Sequence, residues 1–169
     1  KGLCRHIGVS NFNTAKLRTL FKTARLRPEM NQIELHPYLQ QDSVVDFCQA
    51  NRIHLTGYSP LGSTARPAQL TTVGEPVLLE DPVIQKIAVR HSATPAQVVI
   101  CWAMQRRTAV IPKSVNPKRL KENLSAAAIE LTRSEMVEIA ALDCNRRYVS
   151  GDFWAAEGSP YSVTDFWDE

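Results

Sequence analysis

The sequence predicts an α/β protein that forms half of an eight-unit (β/α) barrel. Four short apolar segments alternate with segments of helical period, and each short segment ends abruptly in polar residues. Strands that alternate with helices pair in parallel through right-handed crossovers. A complete barrel needs eight units and about 250 residues, whereas this chain has 169 residues. No G-x-G-x-x-G motif follows a predicted strand, so a doubly wound dinucleotide-binding sheet is not expected.

The individual elements are predicted from apolar periodicity and from residues that begin helices. The predicted strands cover residues 6–9, 30–35, 53–58 and 109–111. One helix is expected to begin at about Asp42. The other helix starts are marked by capping residues, namely Asn13, Asp81 before Pro82, Thr94 with Gln97, Asn116 before Pro117, and Thr132 with Glu135.

Three further features of the pattern concern loops and orientation. In the helix after the fourth strand, Leu120 and Leu124 are expected to face inward. Residues 63–80 contain two prolines, a glycine and several threonines, which predicts a long surface loop of the kind that is often functional. Beyond Asp143 the periodicity ends in an aromatic tail that contains Trp154, Tyr161, Phe166 and Trp167.

The composition excludes several classes of protein. The net charge of +3 is mixed along the chain without a basic stripe, so nucleic-acid binding is not expected. No apolar run approaches the roughly 20 residues that cross a bilayer, so a membrane protein is not expected. The four cysteines and four histidines show no metal-ligand spacing, and buried, reduced thiols in a cytoplasmic protein are the simplest interpretation. The chain begins at Lys1 without a signal peptide, which we interpret as the middle of a longer protein.

Polar residues stand where each predicted strand ends, and barrels of this kind carry their chemistry at that edge. These residues are Ser10 with Asn11, Gln32, Tyr58 with Ser59, and Lys113 with Ser114. The amides and hydroxyls can donate and accept hydrogen bonds, the tyrosine offers a flat face, and the lysine offers a cation. This set fits a ligand that combines a carboxamide, a planar ring and a phosphate, as nicotinamide dinucleotide phosphate does.

The fourth strand end has the features of a phosphate site. Lys113 and Ser114 lead directly into a helix, whose free N–H groups and dipole favour an anion at its start. Arg119 lies in the first turn, where a guanidinium can fork onto a phosphate. Glu122 and Asn123 follow one turn further, where they can meet an adenine edge or orient the arginine.

Each of these residues also has a structural interpretation. Ser10 and Asn11 are equally compatible with a simple turn and cap. Gln32 could bond a neighbouring backbone group, because polar groups inside apolar strands need partners. Tyr58 could be a core residue, and Lys113 a solvated surface charge.

Taken together, five motifs in a fixed order resemble the aldo-keto reductases. The motifs are Gly8-Val9-Ser10-Asn11-Phe12, Asn31-Gln32-Ile33-Glu34, His36-Pro37-Tyr38, Tyr58-Ser59-Pro60-Leu61-Gly62 and Ile111-Pro112-Lys113-Ser114. The resemblance extends from near Gly2 to about Tyr148. It implies that residues 1–148 form the C-terminal half of a (β/α)8 TIM barrel, with about four β/α units and an extra helix, and that residues 149–169 form a C-terminal tail.

The resemblance also implies a role for each matching residue in binding NADP. Ser10, Asn11 and Gln32 would hold the nicotinamide carboxamide, and Tyr58 would stack on its ring. Ser59, Leu61 and Ser63 would line the pyrophosphate, with the loop of residues 63–80 folding over it as a clasp. Lys113, Ser114 and Arg119 would bind the 2′-phosphate, and Glu122 and Asn123 would face the adenine.

The implied reaction is the reduction of an aldehyde or ketone to an alcohol by hydride transfer. In the family a tyrosine donates the proton beside an aspartate, a lysine and a histidine, all in the first half of the barrel. No tyrosine here lies in the matching motif, so we assign no catalytic residue. His36 is expected to pack structurally, and no residue is assigned to a metal.

Several alternatives stay open at this point. The chain could be a truncated, non-catalytic NADPH-binding or assembly module, or an unrelated half-barrel that binds another phosphorylated ligand. The tail could form a wall of a pocket for a small-molecule carbonyl substrate, or merely pack on helices. Strands near Ile7 and Val110 would lack a barrel neighbour without an N-terminal half-barrel. We therefore expect the chain alone to aggregate or to pair with a copy of itself.

Overall fold

A computed structural model describes residues 2–63 and 66–167 of the chain. The fold is α/β, and its four strands run parallel in the spatial order β1-β2-β3-β4 and alternate with helices. The strands are β1 (Gly8–Ser10), β2 (Met30–Glu34), β3 (His54–Tyr58) and β4 (Ala109–Val110). The predicted order of four parallel strands alternating with helices is confirmed.

The helices begin where the sequence predicted them, except for a short C-terminal helix that was not predicted. They are α1 (Thr14–Thr23), α2 (Asp42–Ala50), α3 (Pro82–Arg90), α4 (Pro95–Gln105), α5 (Pro117–Ser125), α6 (Arg133–Ala140) and α7 (Val163–Trp167). The side chains that accept a hydrogen bond from a first helical turn are those of Asn13, Asp81, Thr94, Asn116 and Thr132. Short 3-10 turns occur at Ala68–Leu70, Leu78–Glu80 and Ala126–Ala128.

Helix α4 is the most deeply buried helix in the part of the chain that the structure describes. All of residues 98–103 are buried, and the Arg106 guanidinium covers Trp102 at 4.6 Å from the ring centroid. Cys48 and Cys101 are buried free thiols, whereas Cys4 and Cys144 are free but exposed. The expectation of free thiols therefore fits all four positions, and the expectation of burial fits only two.

Helix α5 corrects the prediction of its inward face. Leu120 is 48% exposed and Leu124 is 80% exposed, so both point away from the core. The apolar spacing predicted an inward face, but among the described residues no element covers Leu120 and Leu124.

The sheet has two open edges within the described residues. Strand β1 pairs only with β2, and β4 pairs only with β3. β1 covers residues 8–10 instead of the predicted 6–9, and Ile7 before it is 45% exposed. Ile111, after β4, is 51% exposed. Both edges of the sheet therefore present backbone and apolar groups with which another strand could pair.

Residues 2–63 and 66–167 contain neither a membrane-spanning helix nor a cluster of metal ligands. None of the helices there has the length and apolar character needed to cross a membrane. No cluster of three or more His, Cys, Asp or Glu side chains in that part of the chain is arranged to hold a metal ion.

Candidate functional site

The ends of β1 and β2 are bonded to each other at the edge where the polar residues gather. The register places Ser10 opposite Gln32. The Ser10 hydroxyl and the Asn11 backbone N–H both donate to the Gln32 carbonyl, each at 2.9 Å. Asn11 has a left-handed φ of 58°, which turns the chain sharply out of the strand. The cap of the following helix is Asn13, so Ser10 and Asn11 are not needed as caps.

Two polar atoms at this edge are buried without a bonding partner. Asn11 Oδ1 and the Tyr58 hydroxyl are both inaccessible, and neither makes a hydrogen bond within the described chain. Burial raises the pKa of Tyr58 to about 12 and the nearby Glu34 adds to the rise, against the opposing effects of Arg147 and Asn11. Buried polar atoms without partners are rare and call for an explanation, such as a ligand group.

A small cavity of about 180 Å³ lies beside Asn11. Gln41 at the start of α2 and Arg147, just before the C-terminal tail, line it together with Trp167. The Arg147 guanidinium lies 3.8 Å from the centroid of the Trp167 ring. Sequence reasoning missed Arg147, because nothing in its local pattern distinguishes it from an arginine in a solvated tail.

The turn after β3 contains several residues in the left-handed region. Ser59, Gly62 and Ser63 have left-handed φ angles of 48°, 79° and 51°. The Gly62 N–H donates to the Ser59 carbonyl at 3.0 Å, which closes the turn. Turns that combine left-handed and right-handed residues can form concave nests of N–H groups that bind anions. Leu61 lies half-buried within the same turn.

Gly62 is expected to be essential to the packing of this turn. A Cβ atom there would lie 3.0 Å from Leu78 Cβ and 3.3 Å from Tyr148 Cε2. We expect Gly62→Ala to lower the free energy of unfolding by about 2–3 kcal/mol, because left-handed strain adds to overpacking. Urea unfolding followed by tryptophan fluorescence measures this change.

Gly74→Ala is the matched control for this prediction. Gly74 has a similar φ of 75°, but a Cβ atom there would meet nothing within 4 Å. It should therefore cost only the left-handed strain, roughly 1–2 kcal/mol. Equal losses in both variants would show that the packing around Gly62 does not matter.

The loop after this turn is bonded to the segment that immediately precedes the C-terminal tail. The Arg66 guanidinium donates to the Tyr148 carbonyl and pairs with Glu75. Glu75 lies 3.5 Å from the Arg146 guanidinium as well. The Tyr148 hydroxyl donates to the Pro76 carbonyl at 2.7 Å. Two residues of the expected clasp, Thr64 and Ala65, lie outside the described residues.

A buried carboxyl group holds the tail against the end of β2. Glu34 is fully buried, and its Oε1 atom accepts from the Tyr148 N–H at 2.6 Å. Its Oε2 atom accepts from the Val149 N–H at 3.1 Å. His36, also fully buried, has its Nε2 atom 3.0 Å from Glu34 Oε1. Because His36 Nδ1 has no partner, the hydrogen bond assigns the proton to Nε2. The interpretation of His36 as a packing residue fits this arrangement.

The candidate phosphate residues surround the start of α5. Asn116 accepts from the Lys118 and Arg119 N–H groups at 2.9 and 3.3 Å, and its own N–H donates to Ser114 Oγ at 3.1 Å. The side chains of Lys113 and Arg119 are exposed, and neither has a hydrogen bond or ion pair within the described residues.

The rest of the predicted site divides between the strand edge and α5. Val110 lies opposite Gly57, so the segment that leads to Lys113 runs beside the end of β3. Glu122 and Asn123 are half-buried on α5, and Glu122 lies 3.8 Å from Lys118. The residues near β1, β2 and β3 thus form one edge, whereas the α5 residues follow β4 at one end of the sheet.

This arrangement defines an α/β protein of the parallel (β/α) class, with its candidate site at the C-terminal ends of the strands. A profile of the Aldo/keto reductase family matches residues 1–143. The chain belongs to the aldo/keto reductase family, whose members are oxidoreductases.

Curated relatives agree with this assignment. The chain is 56% identical over 168 residues to the aldo/keto reductase slr0942 of Synechocystis sp., covering 99% of this chain and 51% of that protein. It is 40% identical over 149 residues to aldo-keto reductase family 1 member A1 of Bos taurus and 39% identical to that of Homo sapiens, covering 88% of this chain and 45% of each. The chain therefore spans about half the length of these relatives.

Proposed function

We propose that this chain is the C-terminal half of a (β/α)8 barrel enzyme that reduces aldehydes or ketones to alcohols with NADPH. The observation that carries the proposal is the pair of buried polar atoms, Asn11 Oδ1 and the Tyr58 hydroxyl, that have no partner among the described residues. A carboxamide N–H donated to Asn11 would satisfy the first of them. The residues present therefore fit the nicotinamide end of the cofactor.

The strand ends would position the nicotinamide. Ser10, Asn11 and Gln32 offer amide and hydroxyl groups that match a carboxamide, which both donates and accepts. The Ser10 proton is already given to the Gln32 carbonyl, so the Ser10 oxygen would act as an acceptor. Tyr58, on the neighbouring strand, would provide the stacking face.

The turn and its loop would hold the pyrophosphate. Ser59, Leu61 and Ser63 belong to the turn after β3, whose left-handed residues would shape an anion cradle. The loop of residues 63–80 would fold over the bound pyrophosphate as a clasp. Its described part is tied to the tail through Arg66 and Glu75.

The start of α5 would select NADP over NAD. Lys113, Ser114 and Arg119 would bind the 2′-phosphate, where the helix dipole adds to the two positive charges. The side chains of Lys113 and Arg119 have no partner within the described residues, so both are available to a phosphate. Glu122 and Asn123 would face the adenine.

The proposed chemistry divides between cofactor and protein. NADPH, when bound, supplies the hydride that reduces the carbonyl carbon. The residues of this chain bind and orient the nicotinamide beside that carbonyl, and none of them is assigned as the proton donor. We propose residues 1–148 as the barrel half, and residues 149–169 as a tail bordering the pocket of a small carbonyl substrate. A cytoplasmic location would agree with the free thiols.

A second candidate is a non-catalytic NADPH-binding or assembly module. The open edges of β1 and β4 favour it, because a partner could add strands at either edge. The two candidates share the same cofactor site and differ in whether a proton donor is supplied by another half-barrel.

Nucleotide binding to the 169-residue chain tests the site that both candidates require. We expect saturable NADPH binding, measured by nucleotide fluorescence. NADH should bind at least tenfold more weakly, because it lacks the 2′-phosphate that would pair with Lys113 and Arg119. Absence of NADPH binding by a folded, soluble chain would overturn the proposal for this chain. Equal binding of both nucleotides would overturn the assigned 2′-phosphate site.

A further inference from the structure

Tyr148 lies at the point where the C-terminal tail begins, and it is only 4% exposed. Its backbone N–H donates to Glu34 at 2.6 Å, and the next N–H, of Val149, donates to the other oxygen of the same carboxyl group. Because Glu34 is the last residue of β2, these bonds fix the backbone of Tyr148 relative to the strand ends.

The ring of Tyr148 supports the turn that follows β3. A Cβ atom on Gly62 would lie 3.3 Å from its Cε2 atom and 3.5 Å from its Cζ atom. The ring centroid lies 4.9 Å from that of His36, and the Arg66 guanidinium stacks at 5.0 Å. The turn therefore rests on one aromatic side chain that is itself enclosed.

The polar atoms of Tyr148 hold the loop. Its hydroxyl donates to the Pro76 carbonyl at 2.7 Å, and its carbonyl accepts from Arg66, which also pairs with Glu75. Arg66 lies near the start of the loop and Pro76 lies near its end, and both are among the described residues. Tyr148 thus contacts the end of β2, the turn after β3 and the loop.

We propose that Tyr148 is a positioning residue for the cofactor, one that holds the turn after β3 and residues 66–80 of the loop in the arrangement that binds the pyrophosphate. This inference rests on the proposed function, since it assigns a task within the same nucleotide site. Groups that are held in the bound conformation before binding reduce the ordering cost of binding. Loosening them should therefore speed dissociation of a ligand that reaches the turn. A ligand confined to the start of α5 should be insensitive, because among the described residues Tyr148 makes no hydrogen bond or ring contact with α5.

The test is Tyr148→Phe, which removes only the hydroxyl bonded to Pro76. NADPH dissociation is measured by stopped-flow fluorescence, and adenosine 2′-monophosphate, which lacks a pyrophosphate, is titrated by calorimetry. We expect NADPH to dissociate about fivefold faster, as the loss of one hydrogen bond implies. The affinity for adenosine 2′-monophosphate should stay within about twofold of the wild-type value.

Tyr38→Phe is the matched control. Tyr38 is 8% exposed, and its hydroxyl donates to Asp81 Oδ2 at 2.7 Å, outside the turn and the loop. This variant loses a comparable hydrogen bond and should keep the wild-type rate of NADPH dissociation.

Three other outcomes would overturn the role of Tyr148, and one of them would overturn the proposed function as well. If wild-type chain binds both nucleotides and Tyr148→Phe releases NADPH at the wild-type rate, the role of Tyr148 is overturned and the proposed function stands. If Tyr148→Phe weakens both ligands equally, Tyr148 is a general structural residue and the proposal fails. If the wild-type chain binds neither nucleotide, the proposed function fails and this role fails with it.

Discussion

Lys113→Glu is expected to weaken NADPH binding by about 100-fold at low ionic strength, since like charges brought together cost several kcal/mol. The Lys113 side chain is exposed and has no partner within the described residues, so its reversal breaks no internal contact. Arg119→Ala should act in the same direction with a smaller effect, because it removes an attraction without adding a repulsion. Both effects should shrink as salt is added. Fluorescence titration with NADPH measures them.

Lys121→Glu is the matched control for this charge reversal. Lys121 lies on α5, the helix that follows Lys113, is exposed, and is not among the proposed phosphate contacts. It changes the net charge of the chain by the same amount and should change NADPH affinity by only a few-fold, through screened long-range attraction. NADH binding should be nearly unchanged by Lys113→Glu. Similar losses for Lys113→Glu and Lys121→Glu would contradict a specific 2′-phosphate site.

Glu34→Ala is expected to lower the free energy of unfolding by about 3–5 kcal/mol, because it strands several buried donors at once. The donors are the N–H groups of Tyr148 and Val149 and the imidazole of His36. Urea unfolding followed by tryptophan fluorescence measures the loss. Limited proteolysis should also cut the tail after residue 149 sooner than in the wild type.

Glu130→Ala provides the comparison for Glu34→Ala. Glu130 is exposed, and no hydrogen bond or ion pair of its side chain occurs among the described residues. Its removal should change the free energy of unfolding by less than about 0.5 kcal/mol. A loss below about 1 kcal/mol for Glu34→Ala would mean that water or the relaxed tail satisfies the stranded donors.

Local sequence signals were sufficient to place most elements. Caps such as Asn116 and Thr132 act within one helical turn, so their geometry follows from residues two or three positions away. The strand ends were also predictable, because the C-terminal ends of parallel strands must meet at one edge. Ser10 and Gln32 are opposite each other for this reason. Their proposed contacts with a cofactor stay predictions.

The orientation of α5 was not predictable from its own sequence. Leu120 and Leu124 repeat at helical spacing, which identifies an apolar face and says nothing about what covers it. Here the face is exposed because no described element lies against it. The short helix α7 was missed for a related reason: it has only five residues, and its Phe166 packs on Trp154, a contact that no local signal predicts.

Contacts between distant residues were the other source of missed features. Glu34 and Tyr148 are 114 positions apart, and no local rule pairs them. One signal was nevertheless present, since an acidic residue inside an apolar strand must find donors when it is buried. The residues that would supply those donors could be identified only from the fold.

The two open edges of the sheet also set what symmetry a completed barrel would have. A two-fold rotation about an axis parallel to the strands preserves strand direction. A second copy related by that rotation could place its β4 beside β1 of the first copy, and its β1 beside β4 of the first copy. Such a closed pair would be two-fold symmetric and would carry two equivalent nucleotide positions on the same face. A different half-barrel in the same place would leave only one. The stoichiometry of bound nucleotide per eight strands therefore reports which kind of half completes the sheet.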